Sequence, residues 1–182
     1  MTLGPEFVRG LRGALSGRLP WRIHKAEGGD SWVALKLGYD DLWLLFSWGS
    51  GTGGCCLADG GSVSALRKGA PARTPLVEAL RSRFVKGDLT GVRQIGHDRI
   101  LEFKVRRRVA AGAEVRYSLV LEATEPLGNL ILLGADRRIE ELARHEAPDR
   151  NPYRTLLPGH PYVPPPAFAG PLPEDLSSLD RD

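Results

Sequence analysis

The sequence predicts an α+β domain that is mainly antiparallel β, a two-sheet sandwich or pseudobarrel capped by two helices. Three observations carry this. Short apolar-alternating segments recur with turn residues between them from Trp21 to Ala143. Two stretches have apolar residues at helical spacing instead. The 182 residues make about one domain, with 42% hydrophobic and 26% charged residues, as in an ordinary globular chain.

The elements follow in order. Pro5 suits a helix first turn, and Phe7, Leu11 and Leu15 share one helical face. The period then changes to two. Trp21–Lys25, Trp32–Leu37 and Leu42–Trp48 read as a three-strand meander, with Asp40-Asp41 at the second turn. Gly49–Gly54 is a flexible loop; it lacks the Lys-Ser/Thr ending of a phosphate-binding loop. A short strand is expected near Cys55–Ala58, and residues 59–74 read as exposed loop.

Thr74-Pro75 opens a second helix: Thr74 caps, Pro75 fits the first turn, and Glu78 complements the dipole. Leu76, Val77, Leu80 and Phe84 form its apolar stripe, Arg81, Arg83 and Lys86 lie off it, and Gly87 is expected to end it. Beyond lie strands at Val92–Ile95 and Asp98–Arg107. In the second, Leu101, Phe103 and Val105 face one way while Ile100, Glu102 and Lys104 face the other. Ala110–Ala113 turns the chain into a strand with Val115, Tyr117, Leu119 and Leu121 alternating. Strands at Asn129–Leu133 and Ile139–Ala143 complete the set, with Gly134–Asp136 between them. The domain is expected to span residues 1–157. From residue 158 the chain is proline-rich and acidic, which reads as a linker or tail.

Charge is uneven. The net +3 splits into +7 over residues 1–138 and an excess of acid over residues 139–182. A basic body fits an anionic partner such as nucleic acid, and a solvated arginine face fits equally. The longest apolar run, Leu42–Trp48, is too short to cross a bilayer, and no secretory signal opens the chain. The two cysteines, Cys55 and Cys56, are adjacent and on a strand point to opposite faces. With the four histidines scattered, no zinc spacing exists; neither metal nor cofactor is expected. The cytoplasm is the expected compartment.

Several segments together resemble the N-terminal domain of NFACT-type (RqcH-type) ribosome quality-control factors. Gly17-Arg18 with Ile23-His24-Lys25 resembles that family's entry, and the helix from Pro75 is loosely similar to its helix. Gln94-Ile95-Gly96-His97-Asp98-Arg99-Ile100 matches its G-x-D-R motif. Leu119–Glu122 and Asn129–Leu132 flank its next signature, and Tyr153–Pro166 is similar to its exit segment. The resemblance implies a domain like the N-terminal domain of Fpg-type DNA glycosylases. It implies a factor that binds tRNA on obstructed large ribosomal subunits and supports C-terminal tailing of stalled chains. The ribosome performs the peptide transfer, so the role is recruitment more than catalysis. Some members carry an older label as fibronectin-binding proteins, and nothing in this sequence explains such adhesion.

The family's Asp-Arg pair carries over onto Asp98 and Arg99. Arginine is a fork of fixed donors suited to phosphate or a base edge, and a carboxylate orients a donor or accepts from a ribose hydroxyl. His97, Asn129, Arg81 and Lys86 join them as nucleic-acid-binding candidates. The chain also departs from the pattern. Where the family has M-G-R-H-S-N, it has Thr124-Glu125-Pro126-Leu127-Gly128-Asn129, and where the family has F-D-G it has Leu3-Gly4-Pro5. These departures motivate an alternative, a protein-interaction domain that has lost tRNA binding. Glycosylase chemistry is not expected, since Thr2 and Leu3 stand where a proline nucleophile and its neighbouring acid would.

Overall fold

The computed structural model describes residues 10–11, 13–15, 17, 19–49, 53–68, 73–96, 99–123, 128–145 and 153–166. Among these described residues the antiparallel strands are nine: β1 (Trp21–Gly28), β2 (Trp32–Leu37), β3 (Leu42–Ser47), β4 (Gly54–Asp59), β5 (Asp88–Gln94), β6 (Ile100–Arg108), β7 (Glu114–Glu122), β8 (Asn129–Leu133) and β9 (Ile139–Leu142). They hydrogen-bond in the order β4-β3-β2-β1-β5-β6-β7-β8-β9. Helices α1 (Gly60–Arg67) and α2 (Pro75–Arg83) lie between β4 and β5 in sequence. The predicted mainly antiparallel α+β architecture is therefore present, as one open sheet bent into two halves.

Strand β1 makes the bend. Its first residues, Trp21 and Arg22, pair with β5, while Ile23–Gly28 pair with β2 across a register shift between Ile23 and Lys25. One strand thus belongs to both halves. The halves fold face to face, and the rings of Phe46 on β3 and Phe103 on β6 meet edge to face with centroids 4.9 Å apart. Both are fully buried, each contributing roughly 1.5–3 kcal/mol relative to exposure. Alternation supplies the rest of this inner core: Leu101, Phe103 and Val105 from β6, Leu119 and Leu121 from β7, Leu130 and Leu132 from β8.

Helix α2 closes the open side of the core with Leu76, Val77, Leu80 and Phe84. Thr74 caps it, accepting from the Val77 amide at 3.3 Å, and Pro75 occupies the first turn as predicted. Its approach to β1 requires Gly28, where a Cβ would stand 2.6 Å from the Val77 side chain and 2.8 Å from the Trp32 carbonyl. The helix ends differently from expectation. Lys86, not Gly87, takes the left-handed conformation, at φ 65°. Gly87 is needed for space instead: a Cβ there would meet the Phe84 carbonyl at 2.9 Å and Val105 at 3.0 Å. Of the first expected helix, Gly10, Leu11 and Gly13–Leu15 are helical, with Leu11 and Leu15 in the inner core. Phe7 lies outside the described residues.

The outer faces of the two halves are covered separately. Residues 60–67, expected as loop, form α1. Asp59 caps it, accepting from the Ser62 amide at 2.7 Å, and that bond holds the Asp59 carboxyl below its ordinary range. Val63 of α1 then packs with Trp32, Ala34 and Trp43. On the other half, Ile100, Val120, Ile131, Leu133, Ile139 and Leu142 gather under Leu156 and Tyr162. The segment Leu156–Tyr162, although rich in turn residues, lies against β9. The Gly159 amide donates to the Ile139 carbonyl at 2.8 Å and the Ile139 amide to the His160 carbonyl at 2.9 Å. Among the described residues no helix is long and apolar enough to cross a membrane.

Candidate nucleic-acid interface

The Gln94–Ile100 segment becomes the turn between β5 and β6. Gly96 supplies its positive φ of 62°, and the Ile95 amide closes it by donating to the Ile100 carbonyl at 2.9 Å. Arg99 stands at the foot of β6, half-buried, with its carbonyl accepting from the Ala123 amide at 2.9 Å. His97 and Asp98 lie outside the described residues.

Asn129 is at the same end of the sheet, opposite Glu122 in the β7–β8 register. Its side chain is not presented outward. Asn129 is 1% exposed, and its Oδ1 accepts from the amides of Leu130 (2.9 Å) and Arg144 (3.0 Å), while Nδ2 donates to the Arg144 carbonyl at 2.9 Å. An amide spent this way fixes backbone. Asn129 therefore fixes the backbone of Arg144, an exposed residue just past the end of β9. The sequence hid Arg144 because it follows the last strand with no motif around it.

Arg81 and Lys86 belong to a second group, on α2 and beside β1. Arg81 Nε donates to the Ala26 carbonyl at 3.0 Å and its Nη1 to Glu78 at 2.6 Å. With His24, Lys25, Glu27 and Val85 it lines a shallow cavity of about 360 Å³. The Lys86 amide donates to the Ile23 carbonyl at 2.9 Å, and its side chain is exposed. The entry segment Ile23–Lys25 thus meets Arg81 of α2 and Lys86 beyond it, away from the β5–β6 turn.

Two buried glutamates account for features that sequence reading left without a role. Glu122, on the outer face of β7, is fully buried. Arg154 grips it with both Nη atoms, each at 2.6 Å, and the Tyr162 hydroxyl donates to it at 2.8 Å. Burial, then the Glu122 charge, pushes the Tyr162 hydroxyl well above its ordinary range. The Tyr153–Pro166 signature is thereby a clasp: its arginine and tyrosine both close on one carboxylate. Glu102, on the outer face of β6, is also fully buried. Arg93 and Arg137 donate to its two oxygens. Burial alone would raise its carboxyl, but hydrogen bonds from Ser118 and Arg93 and the charges of Arg137 and Arg93 hold it below the ordinary range.

Cys55 is buried and Cys56 exposed, both unpaired, as alternation along β4 requires. Burial, with Cys56 adjacent, raises the Cys55 thiol far above the range in which it would react.

Comparison with known proteins adds to this geometry. The family described as NFACT N-terminal and middle domains matches residues 22–181. The chain is similar to the Rqc2 homolog RqcH of Streptococcus suis, 37% identical over 76 residues, 41% of this chain and 14% of that protein. It is similar to the Rqc2 homolog RqcH of Bacillus subtilis, 33% identical over 99 residues, 53% of this chain and 17% of that one. The matches therefore span less than a fifth of those relatives. Among solved structures, the N-terminal part of the fibronectin/fibrinogen-binding protein of S. suis superposes with a TM-score of 0.77 and 25% identity, covering 90% of this chain and 61% of that one. The fibrinogen-binding protein of Staphylococcus aureus superposes with a TM-score of 0.78 over 96% of this chain and 60% of its own; at 22% identity it speaks to fold alone.

Proposed function

The chain belongs to the NFACT N-terminal domain family of ribosome quality-control factors, and from that premise we propose that it is an RNA-binding module. In this reading it captures tRNA on obstructed large ribosomal subunits in the cytoplasm and supports C-terminal tailing of the stalled chain. It needs no cofactor, because the peptide transfer belongs to the ribosome.

The observation that carries the reading is the edge formed by the β5–β6 turn and the end of β9. There Arg99 and the Asn129-anchored Arg144 flank one end of the sheet. Guanidinium groups on a braced edge suit phosphate oxygens and base edges, and an adjacent aspartate, Asp98, would orient a donor or accept from a ribose hydroxyl. Arg81 on α2 and Lys86 just beyond it supply a second set of cations for the same polyanion. Arg99→Ala is expected to weaken tRNA binding roughly 5- to 100-fold, the range of a lost charge-assisted contact. Unchanged affinity in filter binding, with an unchanged melting temperature, removes Arg99 from the site.

One observation favours a second reading. Pro126 and Leu127 stand where the family's arginine and histidine would. A protein-interaction domain that has lost tRNA binding accounts for that, and it predicts no tRNA affinity even at low salt.

A further inference from the structure

Among the described residues, the outer face of the β5–β9 half is covered at one end by the Leu156–Tyr162 segment, and its other end carries no apolar cover. There Thr90, Arg93, Glu102, Lys104, Arg106, Arg116, Ser118 and Arg137 line a cavity of about 490 Å³. Five cations face one carboxylate. We propose that this cleft binds the phosphodiester backbone of an RNA strand, as a site distinct from the Arg99 turn; the proposal rests on the RNA-binding reading above.

The cleft is constructed, not a by-product of a solvated face. Glu102, its side chain 1% exposed, receives one guanidinium on each oxygen, from Arg93 and Arg137, which are 54% and 43% exposed. Each guanidinium has five N–H donors in a fixed plane, and Glu102 fixes that plane while leaving other donors for a ligand. Orienting the forks in advance lowers the ordering cost of binding. Arg137 is further held by its own backbone, at φ 66°, and lies over the Tyr162 ring at 5.9 Å. Lys104, beside them, is exposed and has no acidic partner among the described residues. Arg106 and Arg116 reach Glu114 only at 3.7 and 4.0 Å.

The lining also selects the class of ligand. Small-molecule pockets of comparable volume are lined by apolar residues with a few polar groups, whereas half of the residues lining this one are charged. Sequence-reading or base-stacking sites present aromatic faces. Here the aromatic residue in the lining, Tyr117, directs its ring toward Phe84, at 6.4 Å between centroids. Phosphates remain as the target. Lys104 and Arg106 succeed each other on the outer face of β6, about 7 Å apart at strand rise, with Arg116 opposite Arg106 on β7, so the cations form a row along which several phosphates lie and not a single point.

The test uses the whole 182-residue chain, a fluorescein-labelled oligouridine of about 20 nucleotides and about 50 mM salt. Lys104→Glu with Arg116→Glu reverses two exposed cations of the cleft. Arg67→Glu with Lys68→Glu reverses two exposed cations at α1, on the other half. The cleft variant is expected to lose about tenfold or more in affinity and the α1 variant less than about twofold, with an oligoadenosine behaving alike. A cleft variant that binds as wild type, with wild-type melting, overturns the cleft and leaves the family reading intact. Wild-type protein that binds neither the oligomer nor tRNA overturns the reading itself. Equal competition by polyglutamate of similar length assigns the cleft to an acidic protein and overturns the RNA occupant.

Discussion

Glu122 and Glu102 sit on the same outer face of neighbouring strands, both fully buried, both paired with arginine, yet they serve opposite ends. Around Glu122 everything turns inward. Arg154 is only 9% exposed on its side chain, Tyr162 is buried, and the exit segment closes over the apolar cluster beside them. Around Glu102 the partners stay half in water and open on a cleft. The difference teaches that a buried acid is not by itself a site. What counts is where the spare donors of its partners point: into the fold, they lock it; into solvent, they wait for a ligand.

The contrast is broken most severely at the sealed member. Glu122→Gln leaves the Arg154 charge buried without its counter-ion, and is expected to cost about 3–5 kcal/mol in urea unfolding. Tyr162→Phe removes a neutral donor to the same carboxylate and should cost about 1.5–3 kcal/mol, read as a lower melting temperature. A loss at Glu122 no greater than at Tyr162 would show that the clasp is not closed to water.

At the open member the expected effects are smaller. Glu102→Gln should cost about 1–2 kcal/mol, since Arg93 and Arg137 can turn to solvent. Because the Glu102 carboxyl is held below its unfolded value of about 4.3, the stability it contributes is present above that pH. It is lost as pH falls through the folded value. The gap between wild type and Glu102→Gln should therefore be widest near neutrality and close in acid, below about pH 4. A gap as wide at about pH 3 as at neutrality contradicts an ionised, paired Glu102. Smallest of all, Lys104→Glu should shift stability by less than about 0.5 kcal/mol in the same unfolding assay. A large loss there would make Lys104 part of the fold.

Much of this architecture is legible in the sequence because strands that bury one face must alternate. Leu101, Phe103 and Val105 against Ile100, Glu102 and Lys104 define the two faces of β6, and the alternation over Val115–Leu121 defines those of its partner. Helix α1 was not legible, because Gly60-Gly61 open it and Val63 is its one buried residue; the Asp59 cap three residues before Ser62 was the available sign. The end of α2 misleads for a similar reason: the glycine that looks like a helix stop is required for close packing against Val105. Proline content makes residues past 158 read as tail, while Tyr162 uses that same stretch to reach Glu122.

The site is less legible than the fold. A motif places Arg99 on the β5–β6 turn, and α2 with the turn after it places Arg81 and Lys86 on a solvent face. Asn129, read as a contact residue, is a backbone clamp for Arg144, which only the β8–β9 register reveals. The cleft joins residues from β5, β6, β7 and the β8–β9 turn, so no single stretch of sequence displays it.

The most direct test of the central claim, that this chain is an RNA-binding module with open, pre-oriented cations, is the salt dependence of tRNA affinity. With three or more phosphates neutralised, a tenfold rise in salt is predicted to weaken binding by about 100-fold or more, linearly on logarithmic axes. No measurable binding at about 50 mM salt, or an affinity that salt leaves unchanged, would contradict it.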